Sequence, residues 1–171
     1  VTLEVSDDEV ETLLGAGLVD VGVVLNPTPA RNAVLLGREA WMAVLPGGHP
    51  LARRSNEEGV TLAELAEQPF VLATGGCSTN ASSLAIDAGL QLHDVRVEVR
   101  EWSSAFTLVR ENIGVTVVPE MTLPTQRQGL RVLPVTPRID REFALVAASN
   151  QTPSAAVQAL LDMLADKHHH L

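Results

Sequence analysis

With 171 residues, 46% of them apolar, the chain can bury the core of one domain or of two small lobes. No apolar run is long enough to span a bilayer, and Val1-Thr2-Leu3-Glu4 shows neither the basic region nor the cleavage pattern of a secretory signal. Acidic residues outnumber basic ones 21 to 12, the net charge is −9 and the basic residues are scattered, which excludes a DNA-binding surface on this chain.

Taken in chain order, Val1–Val5 alternates as a strand does, and Ser6-Asp7-Asp8-Glu9 predicts a capping box with a Val5–Val10 staple. Val10, Leu13, Leu14 and Leu18 follow helical spacing, and the run Val21–Leu25 predicts a strand buried on both faces. Ala33–Leu36 and Ala40–Leu45 read as two strands around Gly37-Arg38-Glu39. Thr61-Leu62-Ala63-Glu64 is a second capping box, with a Val60–Leu65 staple, on a helix that must stop by Pro69. Phe70–Ala73 is a strand running into Thr74-Gly75-Gly76-Cys77-Ser78-Thr79-Asn80. A helix with Ala81, Leu84, Ala85 and Ala88 on one face follows and is closed by Gly89. Val95, Val97 and Val99 alternate with charges as a half-buried strand, and Ser103 or Ser104 is expected to cap the next helix, which Gly114 closes. Val115–Val118, Leu130–Leu133 and Phe143–Ala147 are further strands. The last helix is expected to start at Thr152-Pro153 and to bury Val157, Leu160, Leu161 and Leu164.

Alternating strands and helices predict an α/β chain with helical crossovers between parallel strands. Ligands in such sheets bind beyond the carboxyl ends of strands. That rule selects the loops after Leu25, after Ala73 and after Val99. The Gly75–Asn80 loop could hold a small anion on backbone N–H groups and hydroxyls at a helix start, or be an ordinary polar loop with a cap. It matches neither a P-loop nor G-x-G-x-x-G. Cys77, the lone cysteine, excludes an internal disulfide and fits a reducing cytoplasm. With no second cysteine or histidine near it in sequence, it reads as a small loop residue rather than a nucleophile or redox sensor. His49, His93 and His168–His170 show no metal-ligand spacing, the last three reading as a tail or tag remnant. No carboxylate pair asks for acid–base chemistry, so no catalytic residue, metal or cofactor is expected. Trp102 reads either as a ligand contact or as core packing.

Together these segments resemble LysR-type transcriptional regulators. Gly17-Leu18-Val19-Asp20-Val21-Gly22-Val23 is similar to their G-x-x-D-x-x-I/V segment, and Leu45-Pro46 with His49-Pro50-Leu51-Ala52 to their HPLA segment. Leu62–Leu72 resembles the helix and hinge strand that follow. Ile113-Gly114-Val115-Thr116-Val117-Val118-Pro119 is similar to their G-x-G-h-x-h-h-P segment, h being apolar, with Asn112 where the family has its first Gly. The resemblance covers nearly the whole chain. It implies a two-lobed, type 2 periplasmic-binding-protein-like α/β fold lacking the first β-α unit of lobe one. It assigns 1–69 with 149–171 to lobe I and 70–148 to lobe II. It further implies a ligand site in the interlobe cleft formed by Leu25, Asn26, Thr74, Gly75, Gly76, Cys77, Ser78, Trp102 and Ser103.

The function so implied is a cytoplasmic, effector-sensing regulatory domain. It would bind a small organic acid or amino-acid-related metabolite. DNA binding would fall to a separate winged helix-turn-helix, and the full-length protein would be a homo-oligomer, with no membrane partner. A transporter's solute-binding protein, or an enzyme on the same fold, are the alternatives; the HPLA segment and the order of segments favour the regulator. Fold analogy alone is weak evidence for chemistry.

Overall fold

The computed structural model describes residues 6–28, 31, 33–148 and 152–168, without the side chains of 166–168. The strand and staple expected at Val1–Val5 and the residues His169 and His170 therefore lie outside the described residues. The chain forms two compact units. One comprises residues up to Arg38 together with those from Arg141 onward, the other Glu39–Asp140. The resemblance divides the lobes after residues 69 and 148; the compact units divide at 38/39 and 140/141.

In the first unit, α1 (Asp7–Gly15) starts where the Ser6 hydroxyl accepts from the Glu9 N–H at 3.2 Å. It lies on β1 (Val21–Leu25), where a Cβ on Gly22 would sit 2.6 Å from Val10 Cγ1. β1 pairs antiparallel with β7 (Asp140–Ala147), from Val21 opposite Ala147 to Leu25 opposite Phe143. Leu14, Val24, Val146 and Ala148 form this unit's core. The expectation that β1 is buried on both faces fails: Val24 is buried, but Val23 is 44% exposed. An antiparallel strand covered by one helix buries one face only. Leu18, expected on the inner face of α1, is exposed because the helix has already ended and Gly17 has turned the chain at φ +67. The last helix, α5 (Ala155–His168), begins after Pro153, with the Ser154 hydroxyl accepting from the Val157 N–H at 3.3 Å. Leu161 is buried and Val157, Leu160 and Leu164 are half-buried, as the spacing predicts.

The residues expected to form two strands around Gly37 form one, β2 (Ala33–Pro46). In the second unit it pairs antiparallel with β5 (Thr116–Pro119) and with β6 (Leu130–Pro134). The expected helical crossover between parallel strands is realised as a full ladder once among the described strands, and a lone parallel bridge from Phe70 to Val115 adds a further parallel contact beside β5. β3 (Pro69–Ala73) leads through α3 (Ala81–Asp87) to the parallel β4 (Asp94–Val99). Every other ladder described is antiparallel. Phe70 and Leu72 of β3 pack into one core with Trp41, Leu65 and Leu133, while Val71 and Ala73 pack into another with Val44, Phe106 and Val118. That is why Phe70–Ala73 reads as an unbroken apolar run. Each such side chain fully buried is worth about 1.5–3 kcal/mol. α2 (Leu62–Ala66) carries the predicted capping box and delivers Leu62 and Leu65 to the first core beside Val60. α4 (Trp102–Arg110) covers the second with Ala105, Phe106 and Val109.

Candidate functional site

The parallel register of β3 and β4 ends with Ala73 opposite Val99, so the two following loops leave the sheet side by side. They are tied together there. The Thr74 N–H donates to the Val99 carbonyl at 3.0 Å, and the Gly75 N–H to the Arg100 carbonyl at 2.9 Å. Gly75 and Gly76 both adopt the left-handed region, at φ +62 and +73, which glycine enters without steric cost. Each also makes room for a side chain from the loop after β4. A Cβ on Gly75 would lie 2.2 Å from Trp102 Cζ2, and one on Gly76 would lie 2.9 Å from Arg100 Nε and 3.0 Å from Arg100 Nη2. The indole and the guanidinium therefore rest against the Gly75-Gly76 backbone.

The amides of this loop are turned inward. The Gly76 N–H donates to Thr74 Oγ1 at 3.3 Å and the Cys77 N–H to the Thr74 carbonyl at 3.0 Å. The next helix is closed in the same way: Asn80 Oδ1 accepts from the Ser82 N–H at 2.9 Å, and Ser83 Oγ from the Asn80 N–H at 3.0 Å. The N–H groups of Gly75, Gly76 and Cys77, considered above as anion donors, are thus engaged inside the protein. Cys77 is half-buried, with Sγ 3.6 Å from the Gly75 carbonyl, and Ser78 is exposed.

Trp102 packs against both cores of the second unit. The expected cap from Ser103 or Ser104 is not formed. α4 begins at Trp102 with Glu101 at the N-cap and no side-chain cap, and Ser103 is an exposed residue of its first turn. Burying the indole outweighs the roughly 1 kcal/mol of a hydroxyl cap. The helix is also not closed by Gly114 but by Asn112, at φ +59. Asn is the residue after glycine that tolerates this region best.

Leu25 and Asn26 belong to the first unit. Leu25 ends β1, and Asn26, at φ +45, clasps β7: its N–H donates to the Glu142 carbonyl at 3.0 Å and its Oδ1 accepts from the Glu142 N–H at 2.8 Å. The structure thus brings Thr74–Ser78, Trp102 and Ser103 to one end of the β3–β4 pair. It adds Arg100, which sequence reasoning missed. The only signal was an arginine directly after a strand; its neighbour, Gly76, is fixed by the strand register.

The remaining titratable candidates are structural. His49 Nδ1 accepts from the Leu51 N–H at 3.2 Å and caps the 3-10 turn Pro50–Arg53, which is what the His-Pro-Leu-Ala segment builds. His93 Nε2 lies 3.3 Å from Glu67 Oε1 on the surface. Among the described residues, no three His, Cys, Asp or Glu side chains group as metal ligands would. Glu64 is held well below the usual carboxylate range, at about 2, by its hydrogen bond from Arg54 and by the Thr61 N–H and hydroxyl. It serves α2, not the loops above.

The family model of the LysR substrate binding domain matches residues 1–168. An uncharacterized HTH-type transcriptional regulator of Bacillus subtilis, YvbU, is 26% identical over 91% of this chain and 53% of its own length. The chain spans about half the length of the curated relatives it matches. Among solved structures, the Synechocystis CcmR regulatory domain in complex with 2-PG superposes at a TM-score of 0.74, with 18% identity over 95% of this chain and 79% of that one. The BenM effector binding domain with its effector benzoate superposes at 0.72, with 22% identity over 98% and 78%.

Proposed function

This chain belongs to the LysR substrate binding domain family, with its type 2 periplasmic-binding-protein-like fold, and from that premise we propose that it senses a small effector for a transcriptional regulator. The observation that carries the proposal is the convergence of the loops after β3 and β4, where Trp102 and Arg100 lie against Gly75 and Gly76. Thr74, Gly75, Gly76, Cys77, Ser78, Trp102 and Ser103 are proposed as ligand-facing from the second unit. Leu25 and Asn26 are proposed from the first on the strand-end rule alone. Where the lobe boundary falls belongs to the same proposal: the resemblance sets it after residues 69 and 148, and the compact units favour 38/39 and 140/141. In the full-length protein, effector binding would act through a homo-oligomer on a separate DNA-binding domain. A ligand can do so only by binding one arrangement of the protein more tightly than another. The net charge of −9 suits a piece that does not itself grip DNA, and a cytoplasmic site of action goes with the proposal. YvbU is a transcriptional regulator by name and the CcmR structure a regulatory domain, which favours this reading over a transporter component or an enzyme.

A thermal-shift screen against small carboxylates, aromatic acids and amino acids tests the proposal. A ligand present at a hundred times its Kd stabilises by about 2.7 kcal/mol, which moves Tm by several degrees. If no compound in such a screen raises Tm, and DNA binding by the full-length regulator responds to none of them, the sensing role is refuted.

A further inference from the structure

We propose that Arg100 selects the charge of the ligand, and that the ligand is a small molecule bearing a carboxylate or phosphate group; this rests on the effector-sensing reading above. The first support is elimination. The Gly75, Gly76 and Cys77 N–H groups donate within the protein, and Asn80 and Ser83 close the start of α3. Among the described residues, the cationic side chain that lies against this loop is the Arg100 guanidinium.

The second is the state of that guanidinium. Arg31, Arg38, Arg54, Arg96 and Arg138 each pair with a carboxylate. Arg100 does not, and nor do Arg53, Arg110, Arg127 and Arg131 among the described residues; Arg110, Arg127 and Arg131 donate instead to carbonyl oxygens, whereas Arg100 lies against the Gly76 turn with Glu98 and Glu101 flanking it in sequence. A planar fork of N–H donors left unpaired matches two oxygens of a carboxylate or phosphate. The third is placement. A Cβ on Gly76 would lie 2.9–3.1 Å from Nε, Nη2 and Cζ of Arg100, so the bare glycine gives the exposed guanidinium room to lie against the loop.

The test is a titration followed by the backbone amide resonances of Gly75, Gly76 and Cys77, at ionic strength held constant with sodium chloride. Benzoate, inorganic phosphate and neutral benzamide are added to the wild-type chain and to Arg100→Gln, Arg100→Lys and, as a remote control, Arg53→Gln. We expect saturable shifts with benzoate or with phosphate. The anion that saturates at lower concentration tells whether the site prefers a carboxylate or a phosphate. Benzamide should bind at least tenfold more weakly than benzoate, or not at all. Arg100→Gln should weaken anion binding at least tenfold, Arg100→Lys should recover part of it, and Arg53→Gln should leave it unchanged. Absence of a saturable shift with either anion, equal binding of benzamide, or an unchanged affinity in Arg100→Gln overturns the assignment. Uncharged compounds that stabilise the chain in the thermal screen while neither anion binds would sink the role of Arg100 and leave the sensing function standing.

Discussion

Thr116 and Gly114 show opposite relations between residue type and place. Thr116 is fully buried in β5, and its hydroxyl has no partner among the described residues. An unpaired buried hydroxyl costs about 1–3 kcal/mol. Thr116→Val keeps the shape and removes that cost, so the variant should gain about 1 kcal/mol in urea unfolding at unchanged m-value. A loss of stability would show that the hydroxyl is satisfied in solution. Gly114 is irreplaceable for a steric reason. A Cβ there would lie 2.4 Å from the Pro69 carbonyl oxygen, where β3 and β5 are joined by the Val71 and Val115 N–H bonds, both 2.8 Å. The obstacle is backbone, which cannot swing aside. Gly114→Ala should therefore cost about 3 kcal/mol or more, read from the denaturation midpoint. The part of the motif that looked like a loose family resemblance, Gly114 with Asn112 in place of Gly, is thus two distinct demands: one for no side chain, the other for a left-handed backbone.

At the scale of elements, α2 is the best specified and β2 the least. Thr61 and Glu64 form both arms of the capping box, and Arg54 adds two donors to the same carboxylate. Glu64 has its carboxyl moved from 4.5 to about 2 by folding, led by the Arg54 hydrogen bond. Its contribution is therefore present in full above pH 4.5 and is lost as pH falls through about 2. Both side chains are about a third exposed, so solvent screening trims the effect to about 1 kcal/mol. Glu64→Gln should destabilise by that much at pH 7, and the gap to wild type should close progressively as unfolding is measured from pH 4.5 towards pH 2. An unchanged gap at pH 2 would place its origin in packing. β2 was expected as two strands because Gly37-Arg38-Glu39 looks like a turn. It runs on because both residues that follow the glycine are held. Arg38 pairs with Glu142 at 2.6 Å, and Glu39, 3% exposed, accepts from the Met121 N–H at 2.7 Å. The Glu39 bond is invisible to local pattern: it joins residues 82 positions apart.

For the molecule as a whole, the two compact units are unequally founded. Among the described residues, the core cluster of the first unit holds four buried side chains, whereas those of the second hold thirteen and eight. Local opening free energy follows buried apolar contact. Amides of β1 should exchange at least tenfold faster than those of β3 under native conditions. Equal protection in native-state hydrogen exchange would mean that the units open as one. No helix among the described residues is long and apolar enough to cross a membrane, consistent with the short apolar runs of the sequence. The family match over residues 1–168 agrees with the order of segments read along the chain.

The sequence by itself determined what depends on near neighbours. The N-cap at Ser6, the capping box at Thr61, the ends at Pro69 and Gly89, the inner face of α5, and the family segments all rest on contacts a few residues apart, where residue type decides the outcome. Tertiary structure alone decided whether a strand is covered on one face or two, as in β1 against β3, and that Trp102 rather than a serine starts α4. It also decided which side chain meets the Gly75-Gly76 turn. The loop was legible as a candidate site, but its charge was not, because the loop turns its amides inward and the guanidinium arrives from Arg100, 24 residues beyond Gly76, through the register of two parallel strands. Register is set by burial over the whole sheet, which no local window contains.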